Sequence, residues 1–262
     1  MNERIATAAI TRVTRDASPK TGQDALAIEE PLEIRVGDKP LSVTMRTPGD
    51  DFDLAAGFLF TESIVRDPND IESIRHWGSP NIVRVALRDG VRIDFQKLQR
   101  HFYASSSCGV CGKTSIDALQ TNAMPIESDA TIASSMIHAL PDKLRVAQKA
   151  FEETGAIHAA GLFDLHGNLM RIREDIGRHN AVDKLIGSYV CEAARPFGLL
   201  LLSGRAGFEV VQKAIVASIP IVAAVGAPSS LAVELARDFN VTLLGFVRDD
   251  RFNIYSAPQR IG

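Results

Sequence analysis

Alternation between apolar and polar residues is the clearest signal in the first hundred residues. Leu32, Ile34 and Val36 alternate with polar residues, and a second alternating run at 41–45 follows a short turn. Because the side chains of a strand point alternately to its two faces, this pattern predicts a β-hairpin with one buried face. Runs at 83–87 and 91–95, separated by a turn at 88–90, predict a second hairpin.

Between these hairpins the apolar spacing changes to that of a helix. Leu54, Phe58 and Leu59 predict a helix over 53–65, and the aspartates at 50–53 are candidate N-caps. The first thirty residues are polar, with a turn-rich stretch at 18–22, and are expected to be loose. Residues 1–102 are therefore predicted to form a small α+β domain.

The second half of the chain contains apolar runs of strand length separated by helical patterns. A helix predicted over 142–153 ends at Gly155, and a later helix is predicted with Asn180 as its N-cap. Strands buried on both faces read as continuous apolar runs. Residues 114–262 are therefore predicted to form a three-layer α/β/α domain. The predicted strands lie at 157–163, 169–173, 197–202, 221–225 and 241–244.

Charge and composition narrow the function classes. The 262 residues carry a formal net charge of -3, which argues against a protein that coats nucleic acid. We find no signal-peptide pattern and no apolar run near the roughly 20 residues that a membrane helix requires. Three cysteines, two of them three positions apart, do not form a disulfide framework. These features predict a cytoplasmic protein.

The segment 103–113, which contains Cys108 and Cys111, is small and glycine-rich and is expected to be an exposed loop. The thiolate is the nucleophilic form of cysteine, and nearby Lys113 and free backbone N–H groups favour it. The same pair could be half of a zinc site or a dithiol oxidoreductase motif. The spacing alone leaves these three interpretations open.

Two strand-to-helix junctions, at 203–207 and 226–230, are rich in small residues that leave backbone N–H groups free for a phosphate. Arg205 adds a fork of donors, and Ser229 is either an N-cap or a phosphate ligand. In the polar block 171–180, Arg178 and His179 either contact a ligand or pair with the neighbouring acids. Five histidines are interpreted as core or surface residues: His76, His101, His138, His158 and His166.

Several sequence blocks together resemble the FdhD family, the accessory sulfurtransferases of formate dehydrogenase. The blocks lie at 107–112, 174–184, 203–205, 226–230 and 245–246. The resemblance implies a sulfur carrier that a cysteine desulfurase loads with persulfide. It also implies transfer of the sulfur to a molybdenum bis(guanine dinucleotide) cofactor, bound as a client, before that cofactor enters formate dehydrogenase.

In this resemblance Cys108 matches the persulfide carrier, with Cys111 as a second catalytic cysteine of undefined role. The cofactor-binding residues are predicted as Ser203, Gly204, Arg205, Phe246, Val247, Arg248, Asp249, Asp250 and Arg251. A homodimer without an intrinsic metal is expected, with a fold similar to cytidine deaminases. The glutamate of the deaminase motif is missing after His158, which disfavours deamination. The alternative is a zinc- or nucleotide-binding accessory module without sulfur transfer.

Overall fold

The computed structural model describes residues 4–91, 93, 123–194 and 196–262. Its strands are β1 (Ile5–Thr14), β2 (Ala17–Ala27), β3 (Glu30–Val36), β4 (Lys39–Arg46), β5 (Ile71–His76), β6 (Ile82–Leu87), β7 (His158–Phe163), β8 (Leu169–Asp175), β9 (Leu199–Leu202), β10 (Ile221–Ala224), β11 (Thr242–Gly245) and β12 (Asn253–Ser256). Its α-helices are α1 (Asp51–Thr61), α2 (Ser134–His138), α3 (Leu140–Ala147), α4 (Lys149–Thr154), α5 (Arg178–Val190), α6 (Phe208–Val216) and α7 (Ser230–Asp238). Among these described helices none is long and apolar enough to cross a membrane.

A mixed six-stranded sheet forms the larger half of the fold, in the order β12-β11-β10-β9-β7-β8. Strands β9, β10 and β11 are parallel, whereas β7 is antiparallel to β9. Along β9, Leu200 and Leu202 belong to one buried cluster, and Leu199 and Leu201 belong to another on the opposite face. The apolar run thus serves both faces of a covered sheet, and the prediction of a mixed α/β fold is confirmed. The likeness to cytidine deaminases stays a prediction.

A four-stranded sheet in the order β4-β3-β6-β5 forms the smaller half. The first predicted hairpin is confirmed as β3 and β4. The second is wrong: β6 pairs with β3 on one side and with β5 on the other. Both edges of β6 are therefore occupied, and Val91 and Ile93 lie outside any described strand. The turn at Gly90 is present, but the residues that follow it cannot pair with β6, because both edges of β6 are already paired.

The expectation of a loose N-terminus is wrong for residues 5–27. Strands β1 and β2 form a two-stranded antiparallel ribbon, with Thr11 opposite Thr21. Most of its side chains are exposed on both faces. Because neither face is buried, the ribbon lacks the apolar alternation by which sequence patterns reveal strands.

Helix boundaries and caps differ from the predictions, beginning with α1, which spans Asp51–Thr61 and not 53–65. The helix predicted over 142–153 is divided into α3 and α4 at Gln148, and it ends at Gly155 in the left-handed conformation, as predicted. Asp50 stands at the N-cap of α1, but its side chain makes no capping bond and pairs with Arg4. Asn180 is not an N-cap, because α5 begins at Arg178.

Helices α1 and α5 join the two sheets through close backbone contact. A Cβ atom on Gly57 would lie 1.8 Å from the Asp183 carbonyl oxygen, and one on Gly187 would lie 1.8 Å from the Asp53 carbonyl oxygen. Only glycine fits at such a crossing. One cluster of buried side chains continues from the four-stranded sheet across these helices to the six-stranded sheet. The division into domains at residues 102 and 113 stays a prediction.

Candidate functional site

Three loops meet at the edge of the six-stranded sheet where the parallel strands end. The Gly226 amide donates to the Gly204 carbonyl at 2.8 Å, and the Phe246 amide donates to the Gly226 carbonyl at 3.0 Å. Ala206 and Pro228 form an isolated bridge between the first two loops. The carboxyl ends of parallel strands are the usual ligand position in such sheets. Two separate predicted segments, 203–205 and 246–251, therefore lie at the same edge, on either side of the loop at Gly226.

The residues of the first loop differ in what they offer a ligand. The Ser203 hydroxyl accepts a hydrogen bond from the Ala159 amide at 2.8 Å, which ties this loop to β7. Gly204 lies against the ring of His158, where a Cβ atom would come within 3.2 Å of Nδ1. The Arg205 side chain is exposed. Ser229 is the N-cap of α7 and accepts from the Ala232 amide.

The third loop, at 246–251, connects β11 to β12 and holds an aromatic side chain outward. Phe246 is 42% exposed, with its backbone in the left-handed region at φ 53. Residues other than glycine rarely adopt this backbone conformation, so the surrounding hydrogen bonds must hold Phe246 in it. Val247 is fully buried in the core, and its backbone N–H donates to the Ala224 carbonyl at 3.1 Å, so Val247 anchors the loop and offers no group to a ligand.

The charged residues of this loop also divide into anchored and free ones. Arg248 donates to the Val225 carbonyl at 2.7 Å and to its own neighbour, the Val247 carbonyl, at 3.0 Å. Its backbone closes the hairpin by donating to the Arg251 carbonyl. The side chains of Asp249, Asp250 and Arg251 are exposed. Arg248 therefore shapes the loop, while these three extend from it.

Asp175 organises the turn that leads from β8 into α5. Its carboxylate is fully buried and accepts from the Lys184 ammonium at 2.7 Å. It also accepts from the backbone amides of Gly177 and Thr47 at 2.8 and 3.1 Å, and from the Asn180 side chain at 3.1 Å. These bonds occupy the carboxylate and fix the start of α5, so Asp175 pairs with Lys184 and not with Arg178 or His179.

His158 faces the cationic start of α5. Burial is the main cause that lowers the pKa of His158, and the positive charge of Arg178 lowers it further. The charges of His179 and Arg205 also lower this pKa, whereas the negative charge of Asp175 raises it. His179 lies 2.9 Å from the Glu209 carboxylate of α6. Burial opposes ionisation of Glu209, but the hydrogen bond and charge of His179 outweigh it and lower the pKa of Glu209.

The sequence analysis set His158 aside as a core or surface residue. The structure places it beside Gly204 because β7 runs antiparallel to β9, so that the first residue of β7 lies at the carboxyl end of β9. This pairing has no local signal in the sequence. Cys108 and Cys111, the predicted catalytic residues, lie outside the described residues.

The fold and this edge define a mixed α/β protein in which several strand ends present cations and backbone donors together. The sequence matches the family model of the FdhD/NarQ family over residues 27–262. The chain belongs to the FdhD/NarQ family.

Curated relatives cover nearly the whole chain. A sulfur carrier protein FdhD of Streptomyces coelicolor is 47% identical over 94% of this chain and 92% of its own length. One from Sulfolobus acidocaldarius is 44% identical over 94% of this chain and 95% of its own length. A solved structure described as a formate dehydrogenase accessory protein, from Desulfotalea psychrophila, superposes with a TM-score of 0.79 at 25% identity. It covers 98% of this chain and 99% of that protein.

Proposed function

We propose that this chain is a sulfur carrier, a sulfurtransferase that serves formate dehydrogenase. The observation that carries the proposal is the 47% identity, over 94% of this chain, to a curated protein named as a sulfur carrier. The cysteine pair Cys108 and Cys111 supplies the sulfur chemistry that such a protein needs. The name of the structural relative, a formate dehydrogenase accessory protein, supports formate dehydrogenase as the enzyme that is served.

The proposed loading step is a thiolate attack on a sulfane sulfur. The Cys108 thiolate attacks the terminal sulfur of a persulfide on a cysteine desulfurase. The sulfur–sulfur bond of the desulfurase breaks, its cysteine leaves as a thiolate, and Cys108 becomes the persulfide. The exchange is balanced without an added oxidant or reductant. Cys111 lies close enough in sequence to accept or release the same sulfur.

The proposed acceptor is a molybdenum bis(guanine dinucleotide) cofactor bound as a client. The position of the loops at 203–205 and 246–251 on one edge of the sheet supports this ligand, because they carry the exposed side chains of Arg205, Phe246 and Arg251. An aromatic face suits a guanine base and the cations suit a pyrophosphate. A homodimer that presents two such edges, and the absence of an intrinsic metal, are part of the same proposal.

Intact mass tests the loading step. After incubation with a cysteine desulfurase and cysteine, the wild type should gain one sulfur that a reductant removes. The variant Cys108→Ala should gain none while retaining the wild-type melting curve, and Cys191→Ala is the matched control that should load fully. Full loading of Cys108→Ala would move the carrier to another cysteine. Loading of neither Cys108→Ala nor Cys111→Ala would indicate that both thiols are required.

A zinc-binding accessory module is the alternative that the cysteine pair allows. Elemental analysis separates the two functions, because a structural zinc site requires about four ligands and survives mild chelation. About one zinc per chain together with no sulfur loading would replace the carrier proposal.

A further inference from the structure

Two arginines at the carboxyl edge of the sheet have no partner among the residues that the structure describes. Within the described part of the chain, neither the Arg178 nor the Arg205 side chain forms a hydrogen bond or an ion pair. The Nε atom of Arg178 is moreover buried. Buried polar atoms in folded proteins are nearly always hydrogen-bonded, so a buried donor without an acceptor requires an explanation.

The position of Arg178 makes this arrangement more unfavourable. Arg178 and His179 occupy the first turn of the 13-residue helix α5, whose N-cap Gly177 provides no side-chain acceptor. A helix N-terminus carries partial positive charge and favours carboxylates, not cations. The neighbouring helix α6 also begins without a side-chain cap, after Gly207. Positive charge and free amides therefore accumulate between the two helix starts.

The carboxylates nearby do not neutralise this charge. Asp175 of β8 is bound to the Lys184 ammonium and to backbone amides. Glu209 of α6 is bound to His179. His158 of β7 lies next to Gly204 within the field of Arg178, His179 and Arg205, and burial together with these charges keeps its pKa low. Among the described residues the cluster thus holds two guanidinium groups without a partner, beside an imidazole whose pKa is lowered.

We propose that His158, Arg178, His179 and Arg205 form an anion-binding subsite that takes a phosphoryl group of a pyrophosphate-bearing ligand. The inference rests on the proposed function for the identity of that ligand. Guanidinium groups bind phosphoryl oxygens through paired donors, and the first amides of α5 point the same way. The bound anion offsets the cations at the helix start and gives the buried Nε of Arg178 an acceptor.

Titration calorimetry on the full chain tests the two arginines. The probes are inorganic pyrophosphate, guanosine diphosphate and guanosine. Arg178→Gln and Arg205→Gln should each weaken the binding of both phosphorylated probes about tenfold or more, because charge-assisted hydrogen bonds are lost. The binding of guanosine should not change. Arg205 is exposed, so its variant should fold even if Arg178→Gln does not.

The matched control is Arg145→Gln, which removes an exposed guanidinium of α3 that stacks on Phe151. It should bind all three probes as the wild type does. Equal pyrophosphate affinity in the wild type and in both edge variants would overturn the subsite. If Arg145→Gln lost as much pyrophosphate affinity as the edge variants, the effect would come from the overall charge of the protein. That result would also overturn the subsite.

Proton uptake tests the part of His158. Burial and the neighbouring cations lower the pKa of His158, and a bound anion raises it again, so binding should take up protons and strengthen as the pH falls. Calorimetry in buffers of different ionisation enthalpy measures this uptake. His158→Gln should reduce it, which a purely structural role would not do. Unchanged uptake in His158→Gln would remove His158 from the subsite.

Glu209→Gln gives a test of opposite sign. Removing the carboxylate that holds His179 raises the local positive potential, so pyrophosphate should bind more tightly. Weaker binding in this variant would contradict the electrostatic account.

The two proposals fail separately. A chain that binds pyrophosphate through the arginines and accepts no sulfur overturns the carrier function alone. A chain that accepts sulfur and binds pyrophosphate equally in all variants overturns the subsite alone.

Discussion

The arginines near the two ends of helix α5 differ in whether they form ion pairs. At the first turn Arg178 has no partner among the described residues. Beyond the last turn, Arg171 contacts Glu192 at 3.0 Å, and Arg173 contacts Asp53 of α1 at 2.7 Å. The paired end holds elements of the fold together, whereas the unpaired end faces the loops of the candidate site. Around one helix, the presence or absence of an ion-pair partner separates arginines that stabilise the fold from an arginine that is available to a ligand.

The middle of the helix belongs with the paired end. The Asp183 carboxylate accepts from the Thr61 hydroxyl at 2.7 Å and from the Lys213 ammonium at 2.9 Å. Burial alone would lower the pKa of Lys213, but the carboxylates of Asp183 and Glu62 raise it above the ordinary value. This network connects α1, α5 and α6 in the protein interior.

The largest effect on stability is expected when this network is broken. Asp183→Ala leaves the buried Lys213 ammonium without its principal partner and should cost about 3–5 kcal/mol in the free energy of unfolding. Urea denaturation with an unchanged slope measures the loss. The double variant Asp183→Leu with Lys213→Met should recover most of it, because the two buried charges of the pair are then removed together, and Glu62 keeps access to solvent. A decrease in the free energy of unfolding of less than about 1 kcal/mol in Asp183→Ala would show that the pair does not stabilise the fold.

A smaller effect is expected at the paired end, on the reactivity of Cys191. Cys191 is exposed at the surface, but partial desolvation of its sulfur and the Asp53 carboxylate raise the pKa of this thiol to about 12, so it stays protonated at neutral pH. In a Cys108→Ser and Cys111→Ser background it should react with iodoacetamide roughly 100-fold more slowly than an ordinary free thiol. Mass spectrometry after timed quenching gives the rate. Alkylation as fast as that of free cysteine would restore Cys191 as a candidate carrier.

The smallest effect, with the opposite sign, is expected at the unpaired end. Arg178→Gln removes a cation from the positive end of α5 and should raise the free energy of unfolding by about 0.3–1 kcal/mol. Urea denaturation at low salt measures the gain. If Arg178→Gln destabilises the protein as strongly as Asp183→Ala, the contrast between the two ends disappears.

Sequence patterns predicted the buried strands and the loops of small residues that follow two of them, because these depend on local composition. The leucine run at β9 was sufficient to place a covered strand. The ribbon of β1 and β2 and the strand β5 were missed, because their faces are largely exposed and show no buried stripe. His158 was missed for a different reason. Its position at the edge depends on the antiparallel pairing of β7 with β9, a long-range contact without a local signature.

The crossing of α1 and α5 also has a consequence for biosynthesis. The Thr61 hydroxyl and the Asp183 carboxylate are 122 positions apart in the chain, so a contact that covers α1 forms only after α5 has left the ribosome. Until then, the buried face of α1 stays exposed on a nascent chain that already contains the four-stranded sheet. Exposed apolar surface of this kind is prone to aggregation and is a typical chaperone target. Slow translation between the two helices would prolong that exposure.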